Sequence, residues 1–383
     1  MISLSPARGD LTAQAPHLDP VATRFPLVPR PKPRGATLAE RVARVHDLAR
    51  RAAAASGGEA LTTAAQAHNL SALILSDSGL PDQARTLCHQ QHDLFQSGRP
   101  YDLATAKLAL QPLINLARLH IRAGDSATAY TLLADLFEAV KTRTDTSIDG
   151  RTVRLADLVA DRDAHRELVQ WLWTVLLADG TRALTRAGHW AQALHHVEQH
   201  HGVGQRLLDG RQVAVLAHAS RGDAPIALRL LAESATPSGW ERAVAACLHV
   251  ICSRAAAQPI GDGATTMLDR YLELPCGDDE AAFAIRLGLC VHALAAAGDA
   301  QSRIAATIER LALRSGDGYA AHEVLGDACA MSLTDAGRRH LTATVRACGL
   351  DQAAAAPRVR DDLYSAVATC ENVMAAALTG RRP

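Results

Sequence analysis

The sequence predicts an all-α protein, and three features support this prediction. Of the 383 residues, 48% are hydrophobic but only 3% are aromatic, so Ala, Leu and Val supply most of the apolar side chains. This composition favours helices that pack closely through small residues. Apolar residues recur at spacings of three and four from about residue 37 to residue 378, as on one face of a helix. Short joints with Gly, Asp or Pro separate these stretches, with the lengths typical of antiparallel helix hairpins.

The charge balance excludes two classes of partner. The 40 basic residues equal the 40 acidic residues in number, so no net field directs the chain to nucleic acid or to an anionic membrane, and we expect neither partner. All but three of the basic residues are arginine, which is typical of proteins from GC-rich bacteria. The chain has no run of about 18 apolar residues and no N-terminal signal segment, which predicts a cytoplasmic protein.

The sequence predicts no cofactor. It contains no GxGxxG after a strand, no Walker loop and no GxSxG elbow, the motifs that would indicate a bound nucleotide or a nucleophilic serine. Its eight cysteines are spread singly, without the paired spacing of a zinc site or of a disulfide framework.

Residues 1–36 are predicted to form a proline-rich N-terminal arm, disordered or extended. Seven of the 16 prolines precede residue 34. Proline removes a backbone donor and biases the preceding residue away from the helical region. We interpret the arm as a solvated tail that is dispensable for folding. The alternative is a polyproline recognition segment at residues 25–33, FPLVPRPKP.

The helical pattern begins after Thr37. Thr37 and Glu40 have the spacing of a capping box, in which each side chain bonds to the other residue's backbone N–H. The apolar face of this first helix consists of Leu38, Val42, Val45 and Leu48. Further helices are predicted near residues 59–76, 82–96, 102–122, 126–143, 163–187, 190–200, 207–220, 224–233, 238–255, 262–273, 279–296, 300–314, 319–331, 334–347 and 359–378.

Residues 144–158 interrupt the helical pattern. The Asp149-Gly150 pair in this stretch is typical of a tight β-hairpin turn, and an irregular loop is the alternative.

The joints between helices repeat a pattern. In four of them a glycine is followed five residues later by an alanine. The glycine supplies the left-handed residue that ends one helix, and the small alanine lets the next helix pack closely against it. A fifth joint, at Gly298, keeps the turn but has Arg303 in the alanine position. The four pairs are Gly79 and Ala84, Gly124 and Ala129, Gly188 and Ala193, and Gly222 and Ala227.

This pattern resembles the tetratricopeptide repeat (TPR), whose two helices are joined by a turn reading Gly-Asp-x-x-x-Ala. The interval from Gly188 to Gly222 is 34 residues, the repeat length of that family, and the other intervals are longer. The resemblance is divergent, since most of the family's aromatic positions are missing, and it covers roughly residues 59–315. It implies an α-α superhelix of TPR-like helix hairpins over residues 37–380, clearest at residues 59–233. Such a superhelix leaves a concave groove, so the resemblance implies a non-catalytic protein that binds a peptide or protein partner.

The resemblance also assigns residues to the groove. In the family, positions six and two residues before the turn glycine face the groove, and clamp positions on the same helices carry asparagine. Arginine at such positions would bind carboxylate or phosphate, so we expect a partner with an anionic group. The alternative is that the arginines lie on solvated faces or pair with acids such as Asp125 or Asp179. The assigned residues are Asn69, Asn115, Arg118, Arg122, Arg182 and Arg186.

Residues 195–201, HHVEQHH, leave other functions open. His196 and His200 are four residues apart and share one helical face, as zinc ligands do, but no third ligand is specified, so no metal site is favoured. These histidines leave open one alternative function, an enzyme or an accessory subunit of a biosynthetic complex with a histidine-rich site. The superhelix itself leaves open another, a ligand- or peptide-sensing component of a bacterial regulatory system in which the bound ligand changes the curvature of the superhelix.

Overall fold

The structure is a computed structural model that describes residues 18–30, 35–96, 98–275, 277, 280–350 and 356–380. Within these residues the chain is all-α, as predicted, apart from one short hairpin of strands β1 (Thr146–Ile148) and β2 (Arg151–Val153) and 3₁₀ helices at Pro20–Arg24 and Ala328–Ser332. The α-helices are α1 (Leu38–Ala54), α2 (Gly57–Asp77), α3 (Pro81–Leu94), α4 (Leu103–Arg122), α5 (Ser126–Thr142), α6 (Arg162–Val175), α7 (Thr181–Arg186), α8 (Trp190–Gln199), α9 (Asp209–Ser220), α10 (Ala224–Ala232), α11 (Gly239–Ala255), α12 (Gly263–Leu272), α13 (Ala281–Leu294), α14 (Asp299–Ser315), α15 (Gly318–Leu325), α16 (Asp335–Ala347) and α17 (Ala356–Leu378).

The helices pack in two layers along the chain. From α1 to α16, each helix packs against its successor, with α6 and α7 joined through a π-helical turn at Leu176–Gly180. Alternate helices also pack against each other, namely α2 with α4, α9 with α11, α11 with α13, and α13 with α15. This pattern is that of an α-α superhelix, in which one helix of each pair lines the inner layer.

The four Gly–Ala joints adopt the predicted geometry. Their glycines have φ between +72° and +83°, and the alanines five residues later are fully buried. In each joint the residue after the glycine donates its N–H to the carbonyl five residues earlier, as His189 does to Leu184 at 2.9 Å. This closure is the Schellman motif, which requires a left-handed residue. The prediction from the joints is confirmed at the level of local geometry.

Two other local predictions are confirmed. Thr37 donates its backbone N–H to Oε2 of Glu40 at 2.9 Å, and Glu40 donates its own to Oγ1 of Thr37 at 3.3 Å, which completes the capping box at the start of α1. Asp149 and Gly150 have φ of +56° and +74° between strands β1 and β2. The stretch that left two alternatives open therefore forms a hairpin.

Two main hydrophobic cores lie in the described part of the chain. Each core consists mostly of one half of the sequence and also includes a segment from the other half. The first core consists of buried residues from α1 to α6 together with α17. The second consists of buried residues from α7 to α16 together with residues 21–27. Helix α17 packs against α1, α2 and α3, whereas Pro20–Arg24 packs against α7 and α13. Each of these two segments therefore packs on the half of the molecule that is distant from it in the sequence.

The superhelix closes on itself where the segments around α1 and α2 meet those around α15 and α16. The backbone N–H of Gly35 donates to Oδ1 of Asp317 at 3.0 Å, and Sγ of Cys348 donates to the carbonyl of Gly35 at 2.9 Å. At the same junction the hydroxyl of Tyr319 in α15 donates to the carboxylate of Asp77 in α2. The segment that leads into α1 is therefore fixed to the segments around α15 and α16.

The prediction of a solvated N-terminal arm is wrong for residues 18–30. Val21, Ala22, Phe25 and Leu27 are all buried, and Phe25 is only 1% exposed. Gln212 in α9 holds the backbone of Leu27 by two hydrogen bonds, accepting from its N–H at 2.8 Å and donating to its carbonyl at 2.9 Å. Proline limits the regular structure of this segment to one 3₁₀ turn and extended chain, but it does not stop the apolar residues between the prolines from packing into the second core. Residues 1–17 and 31–34 lie outside the described part of the chain.

Among the described residues, no helix combines the length and the apolar character needed to cross a lipid bilayer.

We expect Phe25→Ala to lower the free energy of unfolding by about 3–5 kcal/mol, because it removes an aromatic ring from the second core. Urea denaturation followed by circular dichroism measures the change. The control Met331→Ala, at a side chain that is 80% exposed, should change the free energy by less than about 0.5 kcal/mol. A Phe25→Ala protein as stable as the control would show that the segment is not part of the core.

Candidate binding site

A groove of about 610 Å³ lies between α2 and α4. Asn115 donates to Asn69 at 2.9 Å and Arg122 donates to Oγ of Ser76 at 3.0 Å, and each bond joins residues 46 positions apart. The two helices therefore lie side by side and parallel, in the register of neighbouring repeats. Four of the six sequence-predicted groove residues line this cavity. They are Asn69, Asn115, Arg118 and Arg122.

Three side-chain amides form a ladder along the groove. Nε2 of Gln111 donates to Oδ1 of Asn115 at 3.1 Å, and Nδ2 of Asn115 donates to Oδ1 of Asn69. The two outer groups, Nδ2 of Asn69 and Oε1 of Gln111, have no hydrogen-bond partner among the described residues. The ladder therefore offers a free NH₂ group at one end and a free carbonyl oxygen at the other, which match the carbonyl and the N–H of a peptide backbone.

Apolar side chains flank the ladder. Leu70 and Leu73 from α2 and Leu108 and Leu119 from α4 line the same cavity. All four are half-buried, so an apolar ligand group that covered them would remove further surface from water. The groove thus joins an apolar wall to a row of polar groups, as ligand sites usually do.

Arginines from α4 and α7 lie close together at the end of the groove that is nearest the carboxyl terminus of α4. Asp179, in the π-helical turn before α7, accepts from Nε of Arg118 at 2.9 Å and from Nη1 of Arg182 at 2.8 Å. The competing interpretation, that these arginines pair with Asp179, therefore describes part of the site. Asp125 makes no ion pair with the predicted arginines. Its carboxylate instead caps α5 by accepting from the N–H of Thr128, and its Oδ2 lies 3.2 Å from Nδ1 of His120. Arg118 and Arg182 remain nearly half-exposed, at 45% and 46% of their side chains.

Arg122 joins the groove to the closure of the superhelix. Its Nη1 donates to Oδ1 of Asp77 at 2.8 Å. The carboxylate of Asp77 also accepts from Arg41 of α1 and from the hydroxyl of Tyr319 of α15, and its side chain is only 5% exposed. Burial, followed by the charge of Asp77, raises the pKa of Tyr319 above its usual value, so this residue remains a hydrogen-bond donor.

Arg186 differs from the other three predicted groove arginines because it makes no ion pair with any described residue. Its side chain is exposed to solvent. Burial, followed by the positive charges of Arg286 and Arg182, lowers the pKa of Arg186 below its usual value. Arg286, in α13, itself donates to Oε2 of Glu323 at 2.7 Å.

Sequence reasoning missed four residues at this site. The register rule could have found one, since Asp77 lies two residues before Gly79. Helical spacing could have found Gln111, one turn before Asn115. No local signal identifies Arg286 or Tyr319, because they come from helices that are distant in the sequence.

The two candidate metal ligands lie away from this groove and pack against each other. His196 is fully buried, its Nδ1 lies 3.2 Å from the hydroxyl of Tyr130, and its ring centroid is 4.8 Å from that of His200. In the described part of the chain, no group of three or more His, Cys, Asp or Glu side chains converges as metal ligands would. Burial, followed by the charge of His200, lowers the pKa of His196 to about 4. The imidazole of His196 is therefore neutral at pH 7 and has no exposed surface.

We expect the free energy of unfolding to fall as the pH is lowered from 6.5 to 4. The unfolded chain protonates His196 below about pH 6.5, whereas the folded protein does so only near pH 4, so the unfolded state binds more protons in this window. For this histidine the loss would reach about 3 kcal/mol. Urea denaturation at several pH values should show a shallower fall for His196→Asn than for the wild type. The exposed-site control His340→Asn should keep the wild-type slope, and a His196→Asn slope equal to it would contradict the assignment.

Comparison with known proteins gives no relative on which a function could be based. No protein-family model, no curated protein and no solved structure matches the chain.

Proposed function

We propose that this is a non-catalytic binding protein whose groove between α2 and α4 holds an extended peptide segment of a protein partner. The observation that carries the proposal is the groove itself, where an apolar wall and an amide ladder are followed by Arg118, Arg122 and Arg182. The ladder would hold the peptide backbone, the leucines would cover apolar side chains, and the arginines would bind an anionic group. The TPR-like resemblance supports the same role, since the inner helices of such superhelices line a binding surface.

The second half of the molecule provides an internal example of such binding. Gln212 lies ten residues before Gly222, just as Asn69 lies ten residues before Gly79. Gln212 holds the extended backbone at Leu27 through both groups of its amide. An amide at this register of an inner helix is therefore well placed to hold an extended chain, and the α2–α4 groove has the same chemistry.

The test is selection of binding peptides from a random displayed library, followed by affinity measurement with the selected peptides. We expect enrichment of sequences that combine apolar residues with Asp or Glu. The loss of one neutral hydrogen bond in Asn69→Ala should weaken binding by about 2- to 10-fold, and the loss of one charged hydrogen bond in Arg182→Gln by about 10- to 100-fold.

The variants are chosen so that folding is preserved. Arg182→Gln leaves Asp179 paired with Arg118, whereas replacing both arginines would leave a buried carboxylate without a partner. The control Arg166→Gln removes an arginine that is 78% exposed on α6 and should bind like the wild type. If the library yields no binder, or if selected peptides bind Asn69→Ala as tightly as the wild type, the groove is not the peptide site.

A further inference from the structure

Six arginines at the end of the groove and beside it, which we call the arginine cluster, carry more positive charge than the carboxylates paired with them neutralise. Asp77 pairs with two arginines, Asp179 pairs with two, and Glu323 pairs with one, while Arg186 pairs with no described residue. Six guanidinium groups therefore share three carboxylates. They belong to Arg41, Arg118, Arg122, Arg182, Arg186 and Arg286.

Helix ends alone do not explain this arrangement. Arg122 and Arg186 are the last residues of α4 and α7, where a cation interacts favourably with the helix dipole. Arg286 lies in the first half of α13, which runs from Ala281 to Leu294, and its charge still acts on Arg186. Asp179 bridges Arg118 of α4 and Arg182 of α7, and Arg122 and Arg186 follow one turn later on the same two helices, so these arginines are gathered at neighbouring helix ends despite their mutual repulsion.

A doubly charged ligand group compensates the charge of these arginines better than a carboxylate does. A phosphoryl group carries a charge of about −1.5 to −2 at pH 7 and has three oxygens that accept hydrogen bonds. A carboxylate carries a single charge and two oxygens, so it would leave more of the excess positive charge uncompensated. Arginine forks arriving from separate helices can each bind a different phosphoryl oxygen.

We propose that the cluster is a phosphoryl-binding site centred on Arg186, with Arg122, Arg182 and Arg286 around it. The inference rests on the proposed function where the phosphoryl group belongs to the bound peptide, and it deepens that function by naming the anionic group. The same chemistry would also bind a free phosphate compound.

The first arm of the test titrates the wild-type protein with inorganic phosphate, pyrophosphate and acetate by calorimetry at one ionic strength. We expect pyrophosphate and phosphate to bind at least tenfold more tightly than acetate. Arg186→Gln should weaken phosphate binding at least tenfold, and the exposed control Arg166→Gln should not. Equal affinity for acetate and phosphate, or phosphate binding that is unchanged in Arg186→Gln, would overturn the site.

Stability separates this role from a structural one. Arg186 makes no ion pair with the described residues and is repelled by its neighbours, so Arg186→Gln should raise the melting temperature in the absence of phosphate. A lowered melting temperature would show that Arg186 supports the fold and would refute its assignment as a ligand residue.

The second arm distinguishes the two sources of the phosphoryl group. It compares a degenerate peptide mixture with phosphoserine at its centre against the same mixture with serine. Binding that is at least tenfold tighter with phosphoserine supports a phosphopeptide, whereas binding of pyrophosphate alone supports a free phosphate compound. If both mixtures bind equally and Asn69→Ala weakens both, the proposed function stands and the phosphoryl site is refuted. If inorganic phosphate binds and no peptide does, the phosphoryl site stands and the peptide function is refuted.

Discussion

The carboxylate of Asp77 lies where helices from both ends of the chain meet. It accepts hydrogen bonds from Arg41 of α1, Arg122 of α4 and Tyr319 of α15, and it is almost completely buried. A buried charge is tolerated only when its partners compensate for the lost hydration, so these contacts must form together. Because Arg122 also lines the groove, the shape of the groove depends on the closure of the superhelix. A ligand that drew Arg122 towards itself would act on the same hydrogen bonds that join α2 to α15.

The hydrophobic cores also depend on contacts between residues that are distant in the sequence. Residues 21–27 complete the core of α7–α16, and α17 completes the core of α1–α6. Each half therefore buries apolar surface supplied by the distant end of the sequence. Many solenoids are stabilised mainly by contacts between neighbouring repeats. Here, long-range contacts add to those of neighbours, which favours unfolding of the two halves as one cooperative unit.

Local physics made much of the fold predictable, and distance in sequence limited the rest. The turn glycines, the buried alanines and the capping box at Thr37 depend on residues fewer than seven positions apart, so the sequence alone was enough to place them. The groove residues on α2 and α4 followed from counting back along single helices. The burial of Phe25 depends on helices more than 150 residues away, and the contact of Tyr319 with Asp77 spans 242 positions. No periodicity or spacing carries such information, and proline content pointed to the wrong conclusion for residues 18–30.

The clamp of Gln212 on Leu27 also bears on how the protein is made. Gln212 is 185 positions beyond Leu27, so at about 5–20 residues per second the ribosome needs roughly 10–40 s to synthesise it after Leu27. During that interval Val21, Phe25 and Leu27 have emerged, or are emerging, without the helices that later bury them. The core of α1–α6 in turn waits for α17, which follows α6 by ten further helices. Residues 21–27 and the core of α1–α6 therefore stay incompletely packed while the helices between them are synthesised, and apolar surface exposed at that stage is prone to aggregation.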